Sequence, residues 1–436
     1  MNLDKLPLSR KQFMSIGLAD YRVNLWEGSV RSGKTISSII RWLMFLADPP
    51  AGGQLLMVGR TRDSLYRNVI QPMTNPDIFG EFTKSVRYTP GAPTAYIMGR
   101  VVHVMGASDV SAEKTLRGLT LSGAYMDEAT IIAESFFNQL LARMSVPKAQ
   151  LFCTTNPDSQ HHWLKTNYLD RIDALNKVAR KDGLTGNWAR FHFTLDDNPA
   201  LSDDYKASIK SEYTGLWYKR FIEGQWVSAD GAVYDMWDPE THIVKWEDTP
   251  PIVDWLSVGI DYGTTNATSA ILAAVCNDGN LYLVDEWRFT PRSDRQRMTD
   301  GQLTAAILTW LNTEQHHPDP TTPPPICPVI VDPAAASFRV QMKQDGCMTY
   351  AANNDVLYGI RTVSSLLAAG QLKVTDRCAG FISEVTGYVW DKKATEKGED
   401  AVIKTADHSL DAARYGITTT EKRWRGYLPT ALPTST

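Results

Sequence analysis

The stretch Tyr21–Asp48, "YRVNLWEGSVRSGKTISSIIRWLMFLAD", decides the fold of the N-terminal half. Its first part, "YRVNLWEG", is a short apolar run that ends in Gly28. Its last part, "KTISSIIRWLMFLAD", repeats apolar residues at helical spacing and stops at "PPAGG". Between them stands "GSVRSGKT", Gly28 to Thr35, which satisfies G-x-x-x-x-G-K-[ST]. Such a loop is glycine-rich so that backbone N–H groups can approach phosphate oxygens. The helix opening at Lys34 aims its N-terminal dipole at the same charge. Gly28, Ser29, Val30, Arg31, Ser32 and Gly33 are therefore candidate phosphate-cradling positions. Lys34 is the counter-charge for the β- and γ-phosphates, and Thr35 is a candidate Mg²⁺ ligand. A strand before the loop and a helix after it argue against a chance glycine turn.

Outward from this unit, "QLLMVGR", "VVHVMGA", "LSGAYMDEA" and "AQLFCTTNP" alternate with amphipathic segments. That alternation predicts a parallel sheet with helices on its faces. "GAYMDEA" then delivers Asp127 and Glu128 to the C-terminal edge of the sheet, where the phosphate loop also sits. Asp127 suits the Mg²⁺ shell, and Glu128 suits a group that orients or deprotonates the attacking water. A charged pair at a strand end is ordinarily just solvated; the phosphate loop upstream gives this one a role. Arg31, inside the loop, and Arg117, in "KTLRGLT", are candidates for stabilising charge on the γ-phosphate, from the same subunit or a neighbour. Arg117 reads equally well as a surface or DNA-facing arginine. Thr154, Thr155 and Asn156 of "CTTNP" end the next strand and can sense the γ-phosphate, although Asn-Pro is also a common turn. Gln12, in "LSRKQFMSI", can hydrogen-bond an adenine edge.

The chain has 436 residues, 43% of them hydrophobic and 22% charged, which suits two ordinary domains. The net charge of -4 excludes a generally basic DNA-coating protein, so any nucleic-acid contact must be local. The apolar run Ile36–Ala47 carries Arg41 and is too short to span a bilayer, and "MNLDKLPLSRKQF" lacks a signal-peptide core. The five cysteines are scattered without a C-x-x-C pair, which fits a reducing cytoplasm. The strand–helix alternation breaks around "RFIEGQWVSADGAVYDMW". The expected organisation is an N-terminal domain over 1–225, a linker over 226–250, a second domain over 251–420 and a flexible tail over 421–436.

The second half opens with three strand-like runs, "WLSVGIDYG", "TSAILAAVC" and "GNLYLVDEWRF", joined by short turns that predict hairpins. Carboxylates stand at strand ends: Asp261 after "LSVGI" and Asp332 after "PVIV". Further on, "ADHSLDAARY" carries Asp407, His408 and Asp411, spaced so that Asp411 shares a helix face with either of the others. Each aspartate alone is an ordinary turn or cap residue. Two strand-end carboxylates and one from a helix make an oxygen-rich pocket suited to a pair of Mg²⁺ or Mn²⁺ ions, the arrangement that cleaves phosphodiesters.

Taken in order, "GSVRSGKT", "YMDEA", "CTTNP", "FIEGQW…GAVY", "GIDYG", "VDPA" and "HSLDAARY" make the chain from about Gln12 to Tyr415 resemble the large terminase subunit of tailed double-stranded DNA phages. That family packages genomes into proheads. The resemblance implies an α/β protein with an N-terminal ASCE, RecA-like P-loop ATPase domain and a C-terminal RNase H-like nuclease domain. It implies ATP and Mg²⁺ at Lys34 and Thr35, a Walker B pair in Asp127 and catalytic Glu128, and coupling of hydrolysis to DNA movement by Thr154 to Asn156. It implies a two-metal nuclease triad of Asp261, Asp332 and Asp411, with Asp407 and His408 as outer members. Arg31 matches an arginine the family often places in its phosphate loop, and Arg117 sits where some members have a neighbour-donated finger. The implied partners are double-stranded viral DNA, a small terminase subunit, a portal protein and further copies in a pentameric ring. The implied place is the host cytoplasm and, transiently, the portal vertex of the prohead, with no membrane and no place in the mature virion.

Three other readings compete. "GIDYGTTNATSA" is similar to the first phosphate loop of actin-like and chaperone-like ATPases, a reading that requires a second phosphate hairpin after Asp332. A P-loop helicase or translocase would place a second RecA-like core after the first. A structural adaptor at the capsid vertex would not need an intact Lys34 and Glu128.

Overall fold

The computed structural model describes residues 6–108, 110–181, 187–263, 266–291 and 297–428. Thr264 and Thr265 of "GIDYGTTNATSA" lie outside them. The chain forms two compact units. The first is Met1–Lys210 with Gly215–Ala229 and Lys393–Glu399; the second is Ser211–Thr214 with Asp230–Lys392 and Asp400–Thr436.

The first unit is built on β1 (Val23–Gly28), β2 (Gln54–Gly59), β3 (Val86–Arg87), β4 (Thr94–Ile97), β5 (Arg100–Gly106), β6 (Leu121–Met126), β7 (Gln150–Thr155) and β8 (Trp188–Phe193). They lie in the order β3-β4-β5-β2-β6-β7-β1-β8. From β5 to β8 every pairing is parallel, while β3 and β4 form an antiparallel edge. A parallel sheet needs cover on both faces, and its central strands β1 and β6 are accordingly buried along their whole length. Side chains alternate across it. Trp26 joins Trp42, Tyr125 and Phe152 on one face, and Leu25 joins Met126, Phe137 and Leu151 on the other. Helices α1 (Arg10–Leu18), α2 (Lys34–Ala47), α3 (Val110–Arg117) and α4 (Glu134–Arg143) accompany the sheet.

Strand β7 stands between β1 and β6. The strand that enters the phosphate loop and the strand that ends at Asp127-Glu128 are thus one strand apart, the RecA-like order. The carboxyl ends of β1, β7 and β6 open on one edge, so chain segments far apart in sequence meet there.

The second unit carries β9 (Ile243–Val244), β10 (Ile252–Asp261), β11 (Thr268–Cys276), β12 (Leu281–Phe289), β13 (Val329–Val331), β14 (Thr349–Ala351) and β15 (Leu372–Thr375). Their order is β14-β13-β10-β11-β12-β15-β9. As the turn sequences predict, β10, β11 and β12 form an antiparallel meander. Strands β13 and β14 then run parallel to β10 on its other side, the RNase H-like arrangement. A second RecA-like core would not be built on such a meander, so the helicase organisation is not this one. Helices α5 (Asp300–Thr313), α6 (Ala336–Gln344), α7 (Val356–Ala368), α8 (Ala379–Val385), α9 (His408–Thr419) and α10 (Glu421–Trp424) complete the unit. After β13 the chain enters α6, not the second phosphate hairpin an actin-like ATPase requires.

Helix α9 lies directly on the meander and is buried from Ser409 to Thr418. A Cβ on Gly259 of β10 would stand 2.0 Å from Ala412 O and 2.8 Å from Gly416 N, so helix and strand cross backbone on backbone. Gly259→Ala must push α9 off the sheet. It should destabilise the unit by about 3 kcal/mol, read as a lower denaturation midpoint; an unchanged midpoint would contradict this packing.

Two expected boundaries are corrected. Residues 226–250 are not a free linker: Trp226 and Ala229 are buried in the first unit, while Val233 and Tyr234 are buried and β9 pairs with β15 in the second. Glycine and Asp-Gly turns suggest a connector, but the aromatic side chains between them are core. The tail does not begin at 421. Trp424 of α10 is 1% exposed and its indole N–H donates to Ile417 O at 2.8 Å, while Arg423 pairs with Asp254 at 2.7 Å. Residues 429–436 lie outside the described residues.

Candidate nucleotide and metal sites

The phosphate loop depends on its glycines. Gly28 has φ 130°, and a Cβ there would fall 1.8 Å from Phe193 O. Gly33 has φ 79°, and its Cβ would fall 2.2 Å from Gln12 Nε2. The loop is held from outside by protein carbonyls: Ser29 N–H donates to Phe193 O and Val30 N–H to Phe221 O, both at 2.8 Å. Ser32 Oγ donates to Ser29 O at 2.9 Å inside the loop. Arg31 has φ 56°, an exposed side chain and a carbonyl that accepts from Asn198 Nδ2 at 2.6 Å. Gln12 braces the loop: Nε2 donates to Ser32 O at 2.8 Å, and Oε1 accepts from Ser9 N–H at 2.8 Å in the capping box of α1. These bonds use one N–H and one lone pair of the Gln12 amide, which leaves one of each for an adenine edge.

Lys34 is buried at the first turn of α2. Its ammonium donates to Gly28 O at 3.0 Å, Ser29 O at 2.5 Å and Asn156 Oδ1 at 3.1 Å. Burial pushes its pKa down to about 8, against the pull of Glu27, Glu128 and Asp127. Thr35 follows it, partly exposed at the same helix end.

The ends of β6 and β7 interlock. Thr154 Oγ donates to Asp127 Oδ1 at 2.8 Å and accepts from Glu128 N–H at 3.3 Å. Thr155 Oγ lies 2.8 Å from Thr130 Oγ and accepts from Thr130 N–H at 3.1 Å. Asn156 reaches Lys34, so each residue of the Thr-Thr-Asn run touches a different part of the site. Burial raises the Asp127 and Glu128 carboxyls, and Asp127 raises Glu128 further. Glu128 itself sits at φ 52°, a left-handed conformation that costs a non-glycine residue on the order of 1 kcal/mol. Arg117 ends α3 with an exposed side chain, 4.0 Å from Glu113.

In the second unit, β10 and β13 are paired in parallel with Ile260 beside Val331. Asp261 and Asp332 therefore leave the same sheet edge, and α9 crosses it. Asp261 Oδ2 lies 2.8 Å from His408 Nδ1. Burial lifts the Asp261 carboxyl against that bond, and the bond keeps His408 above the ordinary histidine range. Asp411 Oδ1 accepts from Arg414 at 2.8 Å, and its Oδ2 accepts from Lys404 Nζ at 2.9 Å. Lys404 also stands 3.1 Å from Asp407 Oδ2. Asp332 Oδ2 accepts from Tyr415 O–H at 2.9 Å. Among the described residues no group of three or more His, Cys, Asp or Glu is gathered tightly enough to hold a metal. Lys404, Arg414, His408 and Tyr415 each bond one of these carboxylates. The donor set is nevertheless all oxygen with one imidazole, the chemistry that suits Mg²⁺ or Mn²⁺.

Several residues at these sites carry no sequence signal. Asn68, in a π-turn over Tyr66–Ile70, donates to Asp127 Oδ2 at 3.0 Å. Thr130, Lys404, Arg414 and Tyr415 are contacts of the tertiary fold. Only "DAARY" gave a hint, since Arg414 lies one helical turn from Asp411.

The profile of the family described as terminase large subunit, T4likevirus-type, N-terminal, matches residues 25–238. The large terminase of a thermophilic bacteriophage is 33% identical, over 95% of this chain and 99% of that one, with a TM-score of 0.79. The same terminase in complex with ADP gives 33% identity over 95% and 99% of the chains and a TM-score of 0.80. In complex with ATP-γ-S it gives 33% over 94% and 98% and a TM-score of 0.77. No curated protein sequence matches. With a third of its residues shared along nearly its whole length, this chain belongs to the bacteriophage large terminase family.

Proposed function

We propose that the chain is the motor and nuclease subunit of a viral DNA-packaging machine. It hydrolyses ATP to move double-stranded DNA into a prohead and cuts the DNA with a metal-dependent endonuclease. The observation that carries the motor half is the convergence of Lys34, Asp127, Glu128 and Asn156 at one sheet edge, with Lys34 bonded to Asn156. The relative's complexes with ADP and ATP-γ-S support nucleotide as the ligand of that edge.

Lys34 is the group that must change partners. An arriving phosphate competes with Gly28 O, Ser29 O and Asn156 Oδ1 for its ammonium. Asn156, once released, is free to report occupancy along β7. Ser29 and Val30 N–H already serve protein carbonyls, so the amides from Arg31 to Thr35 are left to cradle phosphate. Asp127 and Thr35 are placed to hold Mg²⁺, which supplies charge neutralisation on the β- and γ-oxygens. Glu128 takes the proton of the attacking water; its raised pKa brings it nearer the range of a useful general base. Arg31, already in the loop, is the candidate for stabilising γ-phosphate charge within one chain. The exposed Arg117 is a candidate only from a neighbouring copy.

For the nuclease half, Asp261, Asp332 and Asp411 would hold the divalent ions, with Asp407 and His408 beside them. Two Mg²⁺ or Mn²⁺ ions supply an activated water and stabilise the leaving 3′-oxygen. Lys404, bonded to both Asp407 and Asp411, neutralises the helix-borne carboxylates that would face a divalent ion. Portal protein, small terminase subunit, a pentameric ring and the cytoplasm of the host with the prohead vertex complete the reading; no helix among the described residues is long and apolar enough to cross a membrane.

Glu128→Gln tests the motor. The amide keeps the shape and cannot accept the proton, so ATP turnover should fall by roughly 10²–10⁴-fold while ADP still binds. Wild-type turnover in this variant would remove the motor assignment.

A further inference from the structure

Glu27 is the last residue before the phosphate loop, and none of the roles above uses it. Its side chain is 0% exposed. Oε1 accepts from Arg190 Nε at 2.9 Å and lies 2.8 Å from His192 Nδ1; Oε2 accepts from Trp226 Nε1 at 2.9 Å. A buried carboxylate persists only where it is paired and hydrogen-bonded, as here. Burial alone would raise its pKa, but the His192 bond and then Arg190 outweigh burial and hold it below the ordinary value.

Arg190 and His192 belong to β8, the strand paired with β1. Trp226 comes from a different place, the stretch 220–228. That stretch lies against the loop: Phe221 O accepts Val30 N–H at 2.8 Å, and a Cβ on Gly224 would stand 3.0 Å from Ser29 N and 3.2 Å from Gly28 Cα. The same stretch grips the residues just after Asn156. Arg220 Nη1 is 3.2 Å from Asp158 Oδ1, and Ser228 Oγ is 3.1 Å from Ser159 Oγ. One short segment is thus bound both to the phosphate loop and to the continuation of β7.

We propose that Glu27 is a positioning residue of the ATP site, fastening the phosphate loop through Trp226 to the segment 220–228, so that nucleotide in the loop alters that segment. The inference rests on the ATP-site reading. A charged, immobile carboxylate at the root of the loop makes a stiff connection. Movement of Gly28 and Ser29, whose carbonyls release Lys34 when phosphate arrives, is then passed to the segment and not absorbed. The segment continues directly into Asp230, the start of the long stretch of the second unit.

Hydrogen–deuterium exchange on the full chain, with and without ADP, tests this. In the wild type ADP should slow exchange at least threefold in 28–36 and also change it in 218–229. Trp226→Phe, which keeps an aromatic ring and the Val30 N–H to Phe221 O bond but removes the indole N–H, should retain the response of 28–36 and cut that of 218–229 at least twofold. Its kcat should fall about tenfold with little change in KM. Glu27→Gln should do the same more strongly, and if that variant does not fold, Trp226→Phe still decides. A wild-type response confined to 28–36, or a 218–229 response undiminished in Trp226→Phe, overturns the proposal. A wild type in which ADP protects neither region instead removes the ATP-site reading beneath it.

Discussion

Lys34→Ala should abolish ATP turnover, by about 10²–10³-fold or more, and leave the protein folded. The ammonium is the buried cation of the loop, bonded to Gly28 O, Ser29 O and Asn156 Oδ1, while Arg31 is exposed. Arg31, a separate candidate for stabilising γ-phosphate charge, does not occupy the place of this ammonium. The stability effect should be small because two terms oppose each other. Gly28 O, Ser29 O and Asn156 Oδ1 lose a donor, which costs roughly 1–3 kcal/mol. Against this, the variant no longer buries a cation whose pKa burial has already driven down to about 8. Steady-state ATPase assays and a thermal melt read the two effects separately. Turnover within a few-fold of wild type would mean that the loop does not bind ATP through this lysine.

Asp261→Ala should stop Mg²⁺- or Mn²⁺-dependent cutting of plasmid DNA and spare ATP hydrolysis. Asp261 ends the strand on which the meander is built and shares its edge with Asp332. It also pairs with His408, so its loss frees the imidazole as well. Removing a carboxylate that would hold a catalytic divalent ion should cost the several kcal/mol such an ion contributes, on the order of 10²-fold or more in rate. Gel assays of nicking and an ATPase assay on the same preparation separate the outcomes. If ATP hydrolysis fell and cutting persisted, the actin-like account of "GIDYGTTNATSA" would return.

The strongly periodic and glycine-marked parts of both units were legible from sequence. "GSVRSGKT" between a strand and a helix could be placed because glycine, lysine and threonine each answer a stated physical need at fixed offsets. The meander could be placed because its turns are short and its strands apolar. The neighbours of these motifs were not legible. Asn68 reaches Asp127 from a single turn of π-helix, and Lys404 reaches Asp411 across a loop with Ala406 at φ 51°. Neither contact has a spacing rule. Gln12 shows a subtler gap: the adenine contact expected of it says nothing of its bonds to Ser32 O and Ser9 N–H, which brace the phosphate loop. The boundary at 226–250 misled because turn residues were weighed above Trp226 and Tyr234, whose burial decides where a chain belongs.

The bond between Lys34 and Asn156 has a kinetic consequence. On the proposed reading, nucleotide binding at this loop would be an exchange, since the ammonium would leave protein acceptors to take a phosphate. The affinity measured for ADP is then the difference between two sets of bonds, weaker than the phosphate contacts alone would give. The same competition works in reverse after hydrolysis. Protein oxygens waiting beside Lys34 recapture it as product loosens, which hastens departure and empties the site for the next cycle. If the chain is the motor proposed above, it would gain more from such turnover than from tight holding, because product release sets the pace of many enzymes that cycle through closed states.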